Sequence, residues 1–181
     1  DYTKAIDDAK NAREDDKNAA NTALDTDASP VANEQPVQDA KDKLQNTLDD
    51  PSSTTDDINQ AAGDYTKAID DAKNAREDAK NAANTALSTD ASPVANEQPV
   101  QDAKDKLQNT VGDPNSTTAA INQAANDYTK AIDDAKNARE DAKNAANTAL
   151  NTDASPVDNE QPVQKAKDKL QNTVDDSSST T

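Results

Sequence analysis

The chain repeats itself every 63 residues, and this repetition limits its fold more than any other feature of the sequence. The hexapeptide DYTKAI that opens the chain recurs after 63 and again after 126 residues. Residues 1–63 and 64–126 differ at eight positions, and residues 127–181 differ from the second copy at six. Repetition at this period predicts a tandem array whose units gain stability by packing on their neighbours. We therefore expect three repeats over 1–63, 64–126 and 127–181, the third one truncated, with both ends cut from a longer array.

Large apolar residues are too scarce for one central core. Ile, Leu, Val and Tyr together number 23 of 181 residues, and all of the remaining hydrophobic content is alanine. Such a composition allows either a disordered chain or helices that share a thin apolar contact along their length. The chain also has no Cys, His, Met, Trp or Phe. Disulfides, thiol catalysis and histidine-based acid–base chemistry are therefore excluded.

A heptad pattern of small residues predicts long helices that cross the repeat boundaries. Ile58, Ala62, Tyr65, Ile69 and Ala72 are spaced alternately by four and three residues, which places them on one helix face. The pattern keeps its phase across the boundary at residue 63, so the last helix of one repeat should be the first helix of the next. We expect one helix over residues 54–88, about 52 Å long at 1.5 Å per residue.

The ends and the middle of this helix carry further signals. Thr54 or Thr55 can cap it, because a hydroxyl can accept a hydrogen bond from the first turn. Gly63 costs about 1 kcal/mol within a helix and could permit a bend. Asn126 occupies the same position at the second boundary, which argues against a required hinge.

A shorter helix should follow each pair of prolines. Val100, Ala103, Leu107 and Val111 form its apolar stripe. Either Asn96 caps it, or Ser92 caps a separate short turn that carries Val94. The return helix takes back about 22 Å, so each repeat advances by roughly 30 Å. The fold class that follows is all-α: tandem three-helix bundles that share long continuous helices in an elongated rod.

No pattern in the sequence predicts a catalytic, cofactor-binding or metal site. Adjacent carboxylates on a helix surface have neither the cleft nor the shifted pKa that acid–base catalysis needs. These pairs are Asp7/Asp8, Asp49/Asp50, Asp70/Asp71 and Asp175/Asp176. Asp25-Thr26-Asp27 begins like a calcium loop, but Pro30 stands where that loop needs glycine and no glutamate closes it. We expect no enzyme activity and no cofactor.

The aromatic and arginine residues have both a structural and a ligand-binding interpretation. Tyr2, Tyr65 and Tyr128 could mark a ligand patch, but their heptad position favours a core role near each boundary. Arg76 falls where alanine or isoleucine would be expected. A side chain that covers apolar surface and keeps its charge in water explains it, although ligand binding is possible.

The repeats resemble a known family of helical surface repeats. The resemblance rests on the stretch from Pro99-Val100-Gln101-Asp102-Ala103 through Val111-Gly112-Asp113-Pro114-Asn115-Ser116-Thr117-Thr118 to Ala131-Ile132. It is similar to the FIVAR-type repeats of Gram-positive surface proteins and to the spectrin-like stalks of large staphylococcal matrix-binding proteins. Unlike them, the chain has no Phe and has a Pro-x5-Pro loop. The resemblance implies an extracellular, cell-wall-attached array that carries an adhesin's binding domain away from the cell.

Three functions remain open. The favoured one is a non-enzymatic stalk of a bacterial surface adhesin, whose partners are the neighbouring repeats of its own chain. In the second, the repeats themselves bind host matrix or mucin as a multivalent module. The third is a disordered stress protectant of the late-embryogenesis type. The net charge of −17 argues against nucleic-acid binding. No run of residues is apolar enough for a membrane span, so we expect no membrane insertion. We also expect the chain to be a monomer.

Overall fold

The regular structure of the chain is α-helical throughout the part described here. A computed structural model describes residues 1–176 and 178–180, and its ordered elements in this part are helices joined by loops. They are α1 (Tyr2–Leu24), α2 (Gln35–Asp49), α3 (Thr55–Leu87), α4 (Gln98–Gly112), α5 (Thr118–Leu150) and α6 (Gln161–Asp175). The all-α class predicted from the heptad pattern is therefore confirmed, and long helices alternate with short ones as expected.

Helix α3 is continuous across the first repeat boundary. It runs from Thr55 to Leu87, close to the predicted 54–88, and includes Gly63 and Asp64 without interruption. A β-carbon added at Gly63 would meet nothing within 4 Å beyond its chain neighbours and the adjoining helix backbone, so this glycine is not required by close packing. Gly63 is an ordinary helical position, and α3 does not hinge there.

Thr54, one of the two capping residues that the sequence allowed, caps α3. Its hydroxyl accepts a hydrogen bond from the backbone N–H of Asp57 at 3.2 Å. The Asp57 carboxylate in turn accepts from the Thr54 hydroxyl at 2.7 Å and from the Thr54 backbone N–H at 2.9 Å. This reciprocal arrangement satisfies amide groups that the start of a helix leaves unpaired. The same hydrogen bonds hold the pKa of Asp57 below its ordinary value.

The short helices begin later than the caps proposed from the sequence. Helix α4 starts at Gln98, so the prediction that Asn96 caps it is wrong. The equivalent helix α2 starts after Glu34, which makes no side-chain cap, and has proline in its first turn. Proline is well suited there because its missing N–H would have no partner within the helix.

The loop before each short helix is organised by an aspartate. Asp90 accepts a hydrogen bond from the backbone N–H of Ser92 at 2.8 Å, which forms an Asx turn. Val94 follows in this loop and is fully buried. The alternative prediction of a separate turn carrying Val94 is therefore confirmed, but it is Asp90 rather than Ser92 whose side chain starts the turn.

The chain divides into two compact units. The first comprises residues 1–81 and 111–121, and the second comprises residues 82–110 and 122–181. The core of the first unit draws on α1, α2, the loop between them and the first half of α3, which is compatible with a three-helix bundle. Its buried members are Ala20, Val31, Val37, Leu44, Leu48, Ile58, Ala61, Tyr65 and Ile69.

Most of these core positions are buried again in the next copy of the sequence. The equivalent residues of the next copy lie 63 positions further along the chain. Eight of them are also buried: Ala83, Val94, Val100, Leu107, Ile121, Ala124, Tyr128 and Ile132. Tyr65 and Tyr128 each expose only 2% of their surface, so the prediction that they are core residues is confirmed for these two. Tyr2 is 82% exposed, and the prediction is wrong for it in this chain.

Candidate functional site at the arginine-bound loops

One arginine in each repeat binds the loop that follows a short helix. Arg13, Arg76 and Arg139 are spaced by 63 residues, and the terminal nitrogens of each guanidinium donate to backbone carbonyls about 37 to 40 residues along the chain. A guanidinium suits this task because its N–H donors form a rigid planar fork. The feature is therefore a repeated structural motif rather than a single accident of packing.

Arg76 makes the most extensive set of these bonds. Its Nη2 donates to the carbonyl oxygens of Asp113 at 3.0 Å and Pro114 at 3.2 Å, and its Nη1 donates to that of Ser116. The residue is only 3% exposed. The expectation that its charge reaches water is therefore wrong. Burying a charged group is costly unless hydrogen bonds replace its water, and here loop carbonyls replace it.

The other two arginines vary this pattern. Arg139 is also buried, and it donates to the carbonyls of Asp176 at 2.8 Å and of Ser179. Arg13 is less buried and donates to the carbonyl of Asp50 at 3.1 Å. Within the described residues the Nε of each of the three arginines is buried without a hydrogen-bond partner. The terminal nitrogens therefore carry the interaction.

An aspartate shapes each of the loops that the arginines bind. Asp50 accepts from the backbone N–H and the hydroxyl of Ser52, at 2.8 and 2.7 Å, and Asp113 accepts from the N–H of Asn115 at 2.8 Å. These bonds form Asx turns that orient the loop carbonyls. The hydrogen bonds from Ser52 lower the pKa of Asp50, with a smaller contribution from the charge of Arg13.

Two residues of the α1–α2 loop hold the same segment that Arg76 binds. Glu34 Oε1 accepts hydrogen bonds from the backbone N–H of Thr118 at 2.5 Å and from its hydroxyl at 2.7 Å. Asn33 Nδ2 donates to the carbonyl of Asn115 at 3.4 Å. We call Asn33, Glu34 and Arg76, together with the segment 113–118 that they hold, the junction clamp. All of it lies in the first compact unit.

The junction clamp joins consecutive copies of the repeat. Asn33 and Glu34 belong to the first copy, whereas Arg76 and the segment 113–118 belong to the second. Sequence reasoning missed this arrangement because Glu34 and Thr118 are 84 residues apart. The only signal in the sequence was an arginine in an otherwise apolar helix stripe.

Ion pairs between a short helix and the next long helix also recur at the repeat period. Lys43 lies 2.7 Å from Asp64, and Lys106 lies 2.8 Å from Asp127. The hydrogen bond from Lys43, and to a smaller extent that from Gln60, holds the pKa of Asp64 below its ordinary value. Lys106 and Gln123 lower the pKa of Asp127 in the same way. Both pairs are exposed to solvent, so each contributes little to stability by itself.

The carboxylates considered as candidate sites lie at the surface, and several have structural partners. Asp8 and Asp71 pair with lysines one turn away, at 2.6 and 2.5 Å. Asp27 accepts from the backbone N–H of Ser29 at 2.8 Å, in the same kind of turn as Asp90. Among residues 1–176 and 178–180 we find no group of three or more metal-binding side chains.

The chemistry that the three arginines provide is the binding of backbone carbonyls of the same chain. Over residues 1–176 and 178–180, no helix has the length and apolar character needed to cross a membrane. In comparisons with known proteins, no family model, curated protein or solved structure matches the chain.

Proposed function

We propose that this chain is a non-enzymatic spacer: an elongated stalk segment of a Gram-positive, cell-wall-attached surface adhesin that holds a distal binding domain away from the cell. The observation that carries the proposal is the continuity of α3 through Gly63 and Asp64. A helix shared by consecutive repeats leaves no flexible linker at that boundary. Repetition of such a unit then sets length, and length is what a spacer supplies.

The junction clamp supports the same proposal. A spacer must resist bending. Glu34 adds charge-assisted hydrogen bonds between consecutive copies, and Arg76 fixes within the second copy the loop that leads to Thr118. Such bonds are stronger and more directional than neutral ones. They involve the first turn of the next long helix, whose first residue is Thr118.

The surface chemistry is also consistent with a spacer. The net charge of −17 favours solubility and disfavours collapse of one segment on another. One described pocket lies between α5 and α6 and is mainly apolar, with Leu170 and Val174 in its wall, and the others are lined by exposed helix and loop residues. None of the described pockets combines a buried acid and base in the way that catalysis needs. These observations favour a mechanical role over a chemical one.

Small-angle X-ray scattering of the 181-residue chain tests the spacer. Three advances of about 30 Å each predict a maximum dimension near 90 Å or longer. Circular dichroism in plain buffer should show predominantly helical signal, which a disordered stress protectant would lack. A compact particle, or a chain without helical signal, would contradict the proposal.

Two substitutions at one position sharpen this test. Gly63→Pro removes a backbone hydrogen bond and interrupts α3 at the boundary, at a cost of about 3 kcal/mol. Gly63→Pro should reduce the maximum dimension and broaden the distribution of interatomic distances. Gly63→Ala preserves the helix and should leave both unchanged. If both variants scatter like the original chain, continuity of α3 does not determine the shape.

The cellular part of the proposal needs a separate measurement. Antibodies raised against the chain should label intact cells of the organism that makes it, and enzymatic digestion of the cell wall should release the antigen. Antigen confined to the cell interior would contradict the surface location without affecting the scattering result.

A further inference from the structure

Two of the three loops that the arginines bind contain an aspartate followed by a proline. The dipeptides are Asp50-Pro51 and Asp113-Pro114, whereas serine follows Asp176 in the third loop. Proline has no backbone N–H, so its nitrogen cannot attack the side chain of the preceding aspartate to form a cyclic imide. The peptide nitrogen of proline belongs to a tertiary amide, which is protonated and released more readily than a secondary one. The carboxyl group of such an aspartate can therefore attack the carbonyl of its own residue.

The Asx turn at Asp113 holds the carboxylate next to that peptide bond. Oδ1 of Asp113 accepts a hydrogen bond from the backbone N–H of Asn115 at 2.8 Å, and the ring that this bond closes contains the peptide bond between Asp113 and Pro114. Holding a nucleophile close to its target removes much of the entropic cost of reaching it. Asp113 and Pro114 are both exposed, so water can also reach the bond.

Arg76 binds the carbonyl group that the carboxyl would attack. Its Nη2 donates to the carbonyl oxygen of Asp113 at 3.0 Å and to that of Pro114 at 3.2 Å. A cationic donor at a carbonyl oxygen stabilises the negative charge that develops there when a nucleophile adds to the carbon. Arg76 is buried, so water screens its charge only weakly. The guanidinium that holds the loop is therefore also placed to promote its cleavage.

We propose that the folded chain cleaves its own Asp113–Pro114 bond in mild acid. A carboxyl oxygen of Asp113 bonds to the backbone carbonyl carbon of the same residue, and the carboxyl proton passes to the nitrogen of Pro114. The carbon–nitrogen bond breaks with its electron pair on nitrogen, which leaves a cyclic anhydride at Asp113 and a free amine at Pro114. One water molecule then opens the anhydride to two carboxyl groups. Each chain reacts once, so this is not enzyme turnover, and the proposal does not depend on the spacer function.

Acid is needed because the attacking carboxyl supplies the proton that the leaving nitrogen takes. On α3 the charged groups that face this loop are Arg76 and, one turn further on the same helix face, Lys80. The α1–α2 loop contributes Glu34, which binds Thr118. The last turn of α4, residues 109–112, and the first turn of α5, residues 118–121, contain no titratable side chain. No neighbouring carboxylate on these two turns therefore competes for the proton.

The loop of the first copy provides an internal comparison. Arg13 donates to the carbonyl of Asp50 at 3.1 Å but lies nearer the surface than its second-copy equivalent. The hydroxyl and the backbone N–H of Ser52 both donate to Asp50 and lower the pKa of its carboxyl, so a smaller fraction is protonated at a given pH. Cleavage in this loop should therefore be slower than after Asp113. It should be absent after Asp176, where serine follows.

Mass spectrometry of the chain, after incubation at the lowest pH that preserves its helical circular dichroism, tests the proposal. Fragments 1–113 and 114–181 should form about tenfold faster than the same bond is cut in a synthetic peptide of residues 109–118, which lacks the fold. Equal rates in the chain and the peptide would overturn the proposal, because the fold would then contribute nothing. Faster cleavage after Asp50 than after Asp113 would overturn the role assigned to the arginine contacts.

Two variants test the leaving group and the guanidinium. Pro114→Ser introduces the residue of the third copy and keeps the backbone carbonyl that Arg76 binds, so it should abolish cleavage without loss of helical signal. Arg76→Lys keeps the charge but loses the planar fork, and the rate should fall towards that of the peptide. Undiminished cleavage in either variant would contradict the mechanism.

Oxygen-18 labelling identifies the attacking group without any substitution. When the reaction runs in labelled water, opening of the anhydride should place the label in the side-chain carboxyl of Asp113 in part of the 1–113 fragments. Direct attack of water on the peptide bond labels only the new α-carboxyl group. Label confined to the α-carboxyl would therefore show that the side chain is not the nucleophile and would overturn the proposal.

Discussion

Glu34 holds the start of a helix that lies 84 residues further along the chain, through two hydrogen bonds from Thr118 to a single carboxylate oxygen. One bond comes from the backbone N–H and the other from the hydroxyl, so the carboxylate acts as a cap supplied by a distant loop. In α3 the carboxylate at the helix start is local: Asp57 accepts from Thr54, which is equivalent to Thr117 and not to Thr118. The second copy has Ala120 in place of Asp57, and Glu34 supplies a carboxylate at the start of α5.

Replacing Glu34 should therefore destabilise the first unit. Glu34→Ala removes two hydrogen bonds to a charged acceptor, and we expect a loss of roughly 2 kcal/mol in the free energy of unfolding. Urea denaturation measures it. Glu14→Ala, at an exposed position on α1, is the matched control and should change stability by less than about 0.5 kcal/mol. Equal losses in the two variants would mean that Glu34 has no special role.

Replacing the arginines should lower the free energy of unfolding by amounts that depend on how many carbonyls each one binds. Arg76→Ala removes a buried guanidinium from three carbonyls, and we expect a loss of about 3 kcal/mol. Arg13→Ala removes a less buried group with one such bond, and about 1 kcal/mol should be lost. Both residues lie in the first unit, so urea denaturation of the two variants compares them directly. A larger effect at Arg13 than at Arg76 would contradict the importance of the carbonyl contacts.

Lysine should not replace arginine at position 76. Arg76→Lys keeps the charge but loses the planar fork that reaches several carbonyls at once. We expect most of the loss seen in Arg76→Ala, together with faster hydrogen exchange at amides of the loop 113–117. Exchange rates that remain as in the original chain would show that charge alone holds the loop.

The glycine at the first repeat boundary should be replaceable with a gain in stability. Gly63→Ala adds a β-carbon where nothing lies within 4 Å, and alanine is favoured over glycine in a helix by about 1 kcal/mol. Asn126→Ala at the equivalent position should give a smaller gain of roughly 0.5 kcal/mol. Thermal unfolding measures both, and a lower melting temperature for Gly63→Ala would mean that the glycine is needed for a bend.

The ion pair between Lys43 and Asp64 should make part of the stability depend on pH. The pKa of Asp64 is lower in the folded chain, chiefly through the hydrogen bond from Lys43, so its ionised form is favoured by folding. This contribution is fully present above the ordinary value of 3.8 and is lost as the pH falls through the lowered pKa. The Asp64→Asn variant should therefore have a lower melting temperature than the original chain at pH 7. In strong acid the two melting temperatures should be equal.

The overall charge requires a control for that experiment. Removing any carboxylate from a chain with a net charge of −17 relieves some repulsion, whatever its local partner. Asp70→Asn, at an exposed position on the same helix, measures this general effect. A difference between the Asp64 and Asp70 variants that persists unchanged at pH 2 would contradict the assignment to the ion pair.

Helices were predictable from this sequence because their signals are local and repeated. The stripe of Ile58, Tyr65 and Ile69 fixed the face of α3, and Thr54 with Asp57 marked its start within a few residues. Proline marked the loops, although the exact start of α4 was missed because Glu97, rather than the better capping residue Asn96, precedes it. Local spacing therefore predicted which segments are helical better than where they begin.

The junction clamp could not be predicted in the same way. Arg76 was recognised as unusual in its stripe, but its partners are backbone carbonyls, which leave no mark in the sequence. Glu34 and Thr118 are far apart, and their pairing depends on how loops of two different copies approach each other. The exposure of Tyr2 was missed for a related reason, since heptad position reports which face a residue occupies and not whether a neighbour covers it.

Recognition of the main chain by Arg76 also leaves the loop side chains free to diverge. The carbonyls of Asp113, Pro114 and Ser116 are main-chain groups, so side chains that do not form the Asx turn can change, and the copies do differ here, with Ser52 in the first and Asn115 in the second. Mutations can therefore accumulate in these loops while the helices keep their mutual arrangement. The exposed side chain of Asn115 is therefore a suitable position for a labelling site, because the junction clamp uses only the main chain of that residue.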